Sequence, residues 1–220
     1  MTDQHLIEQF PELAAIDFCQ HAFIKRIPGV DVSSEKKEAL NRLDTLHRKI
    51  RASLGMNDWP LVTADQVHGR EIAIIESLES DQHLAGIDGF ITKQPGIALG
   101  VHVADCCAVY IMDCSSRAIG LVHSGRKGTE LDIVGSTIQR MKARFGSDPS
   151  SLIIQLSPCV RPPHYEVDFA STIIEQCHAR GVRHVHDSGV CTACDLDQYY
   201  SYRAEKGKTG RMLALIGLKL

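Results

Sequence analysis

The chain has 220 residues, of which 44% are hydrophobic and 23% charged, a composition that excludes a disordered or collagen-like protein. Its 24 basic and 27 acidic residues give a net charge of −3, and aromatic residues make up only 5%. These values indicate neither a nucleic-acid-binding nor an anionic-membrane-binding surface. The unusual feature is the content of soft metal ligands, with 8 cysteines and 11 histidines.

The N-terminal segment lacks the features of a targeting sequence. Asp3, Glu8 and Glu12 stand in a stretch where a signal peptide would carry basic residues. No apolar run approaches the roughly 20 residues that a transmembrane helix requires. We therefore expect a cytoplasmic protein with reduced thiols and without a membrane partner.

Hydrophobic periodicity predicts a mixture of strands and helices. Strands are predicted at 21–26, 60–66, 71–75, 96–113, 118–123, 152–156, 182–185 and 212–218. Helices are predicted from an N-cap at Ser34 to a stop at Gly55, and at 129–145 and 170–179. Because this order does not follow a strict β-α-β alternation, the fold class is predicted to be α+β, with a mixed sheet and outer helices.

Three motifs at strand ends carry residues with metal-binding chemistry. His68 stands between two predicted strands, Cys106 follows Asp105 in the most apolar stretch, and His123 precedes Gly-Arg-Lys-Gly at a strand-to-helix junction. Each residue alone is equally compatible with an ordinary loop histidine or a buried thiol. Together they match a catalytic zinc site, which has three protein ligands and one open position. Asp105 would then orient a ligand or accept a proton.

A separate Cys-x-x-Cys pair, Cys191 and Cys194, is compatible with half of a structural zinc site, a redox pair or plain packing. His184 and His186 are close in sequence, but they lie on one face of a predicted strand without a standard zinc-finger spacing. The sequence leaves these alternatives open.

The motifs, taken in order, resemble the YfiH/YlmD family, which is also called the laccase-domain or multicopper polyphenol oxidase family. The matching segments are Gln66-Val-His68-Gly, Asp88-Gly-Phe-Ile-Thr with Pro95-Gly, Ala104-Asp-Cys106, His123-x-Gly with Gly128-Thr129, Tyr165-Glu-Val, Cys191-Thr, and Ser201-Tyr-Arg203 with Thr209-Gly-Arg211. They span nearly the whole chain, and they are specific as a set.

The resemblance implies a single domain over residues 1–220 with a four-layer α/β/β/α sandwich of mixed sheets. It implies a zinc site, with copper as the alternative metal, made by His68, Cys106 and His123. The implied activities are purine nucleoside phosphorolysis, methylthioadenosine cleavage and adenosine deamination. The implied partners are a nucleoside and phosphate, with no nucleic acid, in a monomer or small homo-oligomer.

Four further residues are candidates for substrate binding. Arg26 and Lys127 match basic positions of the family motifs and are assigned to the anion or the ribose. Gln66 and Arg203 belong to the motifs around them.

The sequence departs from the family pattern at three positions. Arg126 replaces a tryptophan after His-x-Gly, Ser157 replaces a glycine, and Cys107 replaces a proline. The first change alters the pocket wall beside the expected metal, which bears on substrate preference and not on the metal ligands.

Three alternative functions stay open. A copper-dependent laccase would need several copper ions bound by His-x-His pairs, and the chain has one such pair, His184-x-His186. In a metal-free hydrolase, Cys106 would be the nucleophile and His123 its base. A binding module without catalysis is the third alternative.

Overall fold

The computed structural model of the chain describes residues 3–220, so the first two residues of the N-terminal segment lie outside it. The strands are β1 (Ile7–Glu8), β2 (Cys19–Ile24), β3 (Leu61–Asp65), β4 (Ile72–Ile74), β5 (Gln82–Ala85), β6 (Gly89–Thr92), β7 (Ala98–Val103), β8 (Cys107–Asp113), β9 (Ala118–Ser124), β10 (Leu152–Leu156), β11 (His184–Asp187) and β12 (Met212–Leu218). The α-helices are α1 (Pro11–Ala14), α2 (Lys36–Ser53), α3 (Arg126–Glu130), α4 (Ile133–Phe145) and α5 (Phe169–Ala179).

The strands form two six-stranded sheets, and both are mixed. The first sheet has the order β1-β2-β12-β7-β3-β5, and the second has the order β11-β10-β8-β9-β6-β4. In the first sheet, β3 runs parallel to β7 and β5, whereas β12 is antiparallel to both of its neighbours. In the second sheet, β8 and β9 are antiparallel to each other. The edge strands are parallel to their neighbours, β4 to β6 and β11 to β10.

The two sheets pack face to face around the main core. Phe23 and Val101 of the first sheet share an apolar cluster with Tyr110 and Leu121 of the second, and all four are essentially fully buried. Burial of each such side chain contributes about 1.5–3 kcal/mol. The Tyr110 hydroxyl donates to the carbonyl oxygen of Ala22 at 2.8 Å, which satisfies the polar atom of this residue inside the core.

Helices cover the outer faces of both sheets. Leu43 and Ile50 of α2 are buried with the first sheet, while Ile138 of α4 and Ile173 of α5 are buried with the outer face of the second sheet. The structure therefore has four layers, and the predicted α/β/β/α sandwich with mixed sheets is confirmed.

The predicted elements differ from the structure at several points. The helix expected at 129–145 is broken into α3 and α4, because Asp132 adopts a left-handed backbone with φ 55°. The N-cap of α2 is Glu35, not Ser34, and no side chain caps it. The strand expected at 182–185 starts two residues later as β11, and β5 and β6 were not expected at all.

A further difference positions the candidate site. The apolar stretch 96–113 is not one strand, because β7 belongs to the first sheet and β8 to the second. The chain turns between them at Asp105, whose φ is 81°. Cys106 lies at this passage from one sheet to the other.

Within residues 3–220, no helix combines the length and the apolar character that crossing a membrane demands.

Candidate active site

The structure brings His68, Cys106 and His123 together. His68 lies in the loop after β3, Cys106 in the turn between β7 and β8, and His123 near the end of β9. One ligand atom from each lies within 4.8 Å of the others, and the two imidazole rings are 4.8 Å apart at 73°. His68 is exposed, Cys106 half-buried and His123 buried, so the cluster opens to solvent on the His68 side.

Gly125 makes room for the Cys106 sulfur. Residues Cys107 and Ser124 are paired across β8 and β9, so Cys106 and Gly125 approach each other just beyond the end of the ladder. A Cβ atom at position 125 would lie 2.4 Å from the sulfur of Cys106 and 3.7 Å from Cδ2 of His68. A side chain at this position would displace the thiol, so the glycine is a geometric requirement of the cluster.

Asp88 holds the backbone around His68 and the side chain of His123 in place. Its buried carboxylate accepts hydrogen bonds from the backbone N–H groups of Val67 at 3.2 Å, His68 at 3.0 Å and Gly69 at 2.8 Å. It also accepts from Nδ1 of His123 at 2.9 Å, which leaves Nε2 of that ring available to a metal or the thiol. Burial favours a raised pKa for Asp88, but these donors outweigh it and keep the pKa below its usual value.

The charges of Cys106 and His123 stabilise each other. Burial alone would raise the pKa of Cys106, but the positive charge of His123 and hydrogen bonds from both histidines lower it to about 6. Burial alone would lower the pKa of His123, but the thiolate and Asp88 raise it to about 9. Without a metal, the pair is therefore a thiolate and an imidazolium near neutral pH. A deprotonated thiol is also the form that binds a metal.

Asp105 is buried beside this cluster, but its carboxylate faces other partners. One oxygen accepts from the Thr192 hydroxyl at 2.8 Å, and the other accepts from the backbone N–H of Arg203 at 2.6 Å. Its own carbonyl oxygen accepts from the N–H of Val160 at 2.9 Å. Asp105 therefore fixes the turn that carries Cys106, and its carboxylate is bonded to Thr192 and Arg203.

Two of the predicted substrate-binding residues are engaged within the protein. The Gln66 amide exchanges two hydrogen bonds with the backbone of His102, at 2.7 and 3.0 Å, which ties the end of β3 to β7. Arg26 forms an ion pair with Glu205 at 2.6 Å and stacks on the ring of Tyr200 at 4.4 Å. Both side chains support the wall around the site.

The other two predicted residues are exposed. Lys127 lies on α3, two residues after Gly125. Arg203 pairs with Glu166 at 2.9 Å and lies 5.3 Å from the centre of the Tyr165 ring. Arg126, at the position where the family has tryptophan, lies 3.8 Å from the same Glu166 carboxylate.

Two partly buried cations near the cluster, Lys36 and Arg211, were not among the predicted site residues. Burial lowers the pKa of Lys36, and the positive charge of Arg211 lowers it further, whereas the charge of Cys106 acts in the opposite direction. Burial likewise lowers the pKa of Arg211, against the charges of Cys106 and Asp105. Arg211 and Asp88 both stand in the quoted motifs, which gave a signal for them, but nothing in the sequence around Lys36 did.

The His-x-His pair lies elsewhere. His184 and His186 belong to β11 at the edge of the second sheet, and Nδ1 of His186 is 3.5 Å from a carboxylate oxygen of Glu12. Within residues 3–220, neither histidine joins a group of three potential metal ligands.

The family model described as multi-copper polyphenol oxidoreductase laccase matches residues 27–171 and 167–219. The chain belongs to this family. The match includes every residue of the His68–Cys106–His123 cluster and the cations Lys36 and Arg211.

Three relatives resemble the chain over most of their own length. YlmD of Geobacillus stearothermophilus, named a purine nucleoside phosphorylase, is 26% identical over 86% of this chain and 82% of its own. A purine nucleoside phosphorylase of Streptomyces coelicolor is 28% identical over 79% and 82%. One of Deinococcus radiodurans is 26% identical over 90% and 88%.

Solved structures show the same fold. The crystal structure of YlmD from Geobacillus stearothermophilus has a TM-score of 0.81 and 23% identity, covering 98% of this chain and 99% of that one. A protein of Neisseria meningitidis has a TM-score of 0.76 and 20% identity over the same shares of the two chains. This member of the laccase family thus shares the architecture of both.

Proposed function

We propose that the chain is a zinc-dependent purine nucleoside phosphorylase, with adenosine deaminase and methylthioadenosine phosphorylase activity at the same site. The observation that carries the proposal is the convergence of His68, Cys106 and His123, whose ligand atoms lie within 4.8 Å of one another. Relatives named purine nucleoside phosphorylase support an enzyme of this type.

The donor set fits zinc. One thiolate and two imidazoles, with a fourth position open, have the composition of a catalytic zinc site. Gly125 leaves room for the sulfur, and Asp88 orients His123 in the manner of the carboxylates that commonly support metal-binding histidines. Magnesium and calcium prefer oxygen ligands, whereas copper accepts the same donors as zinc. A bound zinc ion would supply Lewis-acid chemistry at neutral pH.

We assign Lys36 and Arg211 to phosphate. In phosphorolysis, a phosphate oxygen forms a bond to C1′ of the ribose while the bond from C1′ to the purine nitrogen breaks. The purine leaves with the electron pair and takes up a proton. The charges of the two cations act on Cys106, and one nitrogen of Arg211 is fixed by the carbonyl oxygens of Thr209 and Gly210 at 2.7 and 2.8 Å. The cations would hold the attacking anion in position and balance its charge.

The four residues predicted from the sequence then divide into two roles. Lys127 and Arg203 are exposed and can contact the nucleoside or its phosphate. Gln66 and Arg26 have a structural role, because their polar groups are already bonded to His102 and Glu205 within the protein.

One observation favours a second candidate, a metal-free thiol hydrolase. A chain of hydrogen bonds runs from the Asp88 carboxylate to Nδ1 of His123 and from His123 to the Cys106 thiol. This order resembles the acid, base and nucleophile of a catalytic triad. In this alternative His68 would not be a ligand, so its role separates the two candidates.

The primary experiment incubates metal-analysed protein with inosine, adenosine and methylthioadenosine, with and without phosphate, and measures free base and deaminated product by chromatography. We expect phosphate-dependent base release that falls by about 100-fold or more in Cys106→Ala. Cys114→Ser, which alters an exposed cysteine, is the matched control. Absence of base release and deamination, or equal rates in wild type and Cys106→Ala, would overturn the proposal.

The variant His68→Asn distinguishes the candidates. It removes a zinc ligand and leaves the chain of hydrogen bonds from Asp88 to Cys106 intact. The zinc enzyme would lose its metal and its activity together. A thiol hydrolase would keep its activity after chelation of all metal and in this variant.

A further inference from the structure

A second group of soft ligands lies apart from the residues of the candidate active site. Nδ1 of His164 is 3.8 Å from the sulfur of Cys191 and 3.5 Å from the sulfur of Cys194. The three ligand atoms all lie within 4.8 Å of one another, the same limit that His68, Cys106 and His123 meet. No residue is shared between the two groups.

Backbone hydrogen bonds hold the two loops that supply these ligands side by side. Cys159 and Cys191 form a parallel β-bridge, in which the N–H of Cys159 donates to Val190 and the N–H of Thr192 donates to Cys159. A short 3-10 turn over Thr192–Cys194 then brings the second thiol back towards the first. The loop after β10 carries His164 to the same point, so the group is assembled from both loops before any ion arrives.

The donor chemistry selects the class of ligand. Two thiols and one imidazole suit zinc or another soft divalent cation, and they do not suit magnesium or calcium. His164 and Cys194 are exposed and Cys191 is half-buried, so water or a further ligand can complete a four-coordinate shell from the solvent side. All three cysteines of this region, at 159, 191 and 194, are free thiols in the structure.

We propose that His164, Cys191 and Cys194 form a second zinc site that clamps the loop after β10 to the segment before β12. The clamp would act on the wall of the candidate active site. Thr192, between the two cysteines, donates to the Asp105 carboxylate next to Cys106, and Glu166, two residues after His164, pairs with Arg203. A zinc ion here immobilises both contacts, whichever reaction the first site performs.

The test counts metal ions per chain in protein prepared under a non-thiol reductant, so that the thiols stay reduced. Wild type is expected to hold two zinc equivalents. Cys194→Ser and His164→Ala are each expected to hold one, and Cys106→Ala is also expected to hold one. The double variant Cys106→Ala/Cys194→Ser is expected to hold none. Cys114→Ser and His184→Ala alter exposed residues of the same types elsewhere and are expected to hold two.

A second measurement isolates the proposed site. In the Cys106→Ala background, added zinc is expected to raise Tm by about 5–10 °C at saturating concentration, and this rise is expected to vanish with Cys194→Ser. A wild type that holds at most one equivalent, dependent on Cys106, would overturn the second site and leave the proposed activity standing. So would a second equivalent that persists in both Cys191→Ser and Cys194→Ser. If wild type holds both zinc equivalents but does not cleave nucleosides, the proposed function alone is overturned.

Discussion

Gly125→Ala is the sharpest perturbation that the candidate active site offers, because it adds one methyl group and no charge. The new Cβ would lie 2.4 Å from the Cys106 sulfur, whereas ordinary contact begins near 3.4 Å. The sulfur must therefore move by about 1 Å, several times the ~0.2 Å tolerance of a metal–ligand bond. We expect a loss of about 100-fold in zinc affinity and in turnover, which corresponds to about 2.7 kcal/mol.

The assay is zinc competition with a chromophoric chelator in the Cys194→Ser background, which removes the second proposed site, followed by turnover at saturating zinc. Gly128→Ala is the matched control, since its Cβ would come no closer than 3.4 Å to any neighbour and the residue lies within α3. Tm of the two metal-free variants checks that both fold. Wild-type zinc affinity in a folded Gly125→Ala protein would refute the reasoning, because the sulfur would then not be held where the structure has it.

Three further predictions concern stability and support of the site. Asp88→Asn is expected to lower zinc affinity by about 10–100-fold, measured by the same competition, while Asp197→Asn on the surface leaves it unchanged. Burial lowers the pKa of His21 from 6.5 to about 4. The unfolded chain therefore binds a proton that the folded protein excludes. His21 should contribute a fall of about 3 kcal/mol in the free energy of unfolding between pH 6.5 and 4, in addition to the fall from His47, whose pKa burial also lowers to about 4. Urea unfolding in that range tests this, and a pH dependence unchanged in His21→Gln contradicts it. Thr192→Val leaves the buried carboxylate of Asp105 with one donor fewer, so urea unfolding should show a loss of about 1–3 kcal/mol, and an unaltered midpoint would count against the bond.

Much of the fold could be predicted because its strands are short and strongly apolar. The strands at 152–156 and 212–218 match β10 and β12 to the residue, since each is predominantly apolar, with only Gln155 and Gly217 interrupting, and has polar or glycine-containing flanks. The stretch 96–113 shows the limit of this reasoning. Its apolar character is continuous across the turn at Asp105, and nothing in the pattern reveals that the two halves enter different sheets.

The candidate site shows the same division between local and long-range information. His68, Cys106 and His123 could be selected as a set because their residue types and motif order are visible in the sequence. The roles of Asp88 and Gly125 depend on distances between segments far apart in the chain. His164 was not connected to Cys191 and Cys194, because their proximity depends on a bridge between two loops that no local pattern encodes.

The passage of the chain between the sheets has a consequence for the whole domain. His68 follows a strand of the first sheet, His123 belongs to a strand of the second, and Cys106 lies where the chain crosses from one to the other. An ion held by all three would link the two sheets. The affinity for this ion would therefore depend on the relative position of the sheets. Substitutions deep in the interface, such as Tyr110→Phe, which removes the hydrogen bond to Ala22, should therefore weaken metal binding without touching a ligand.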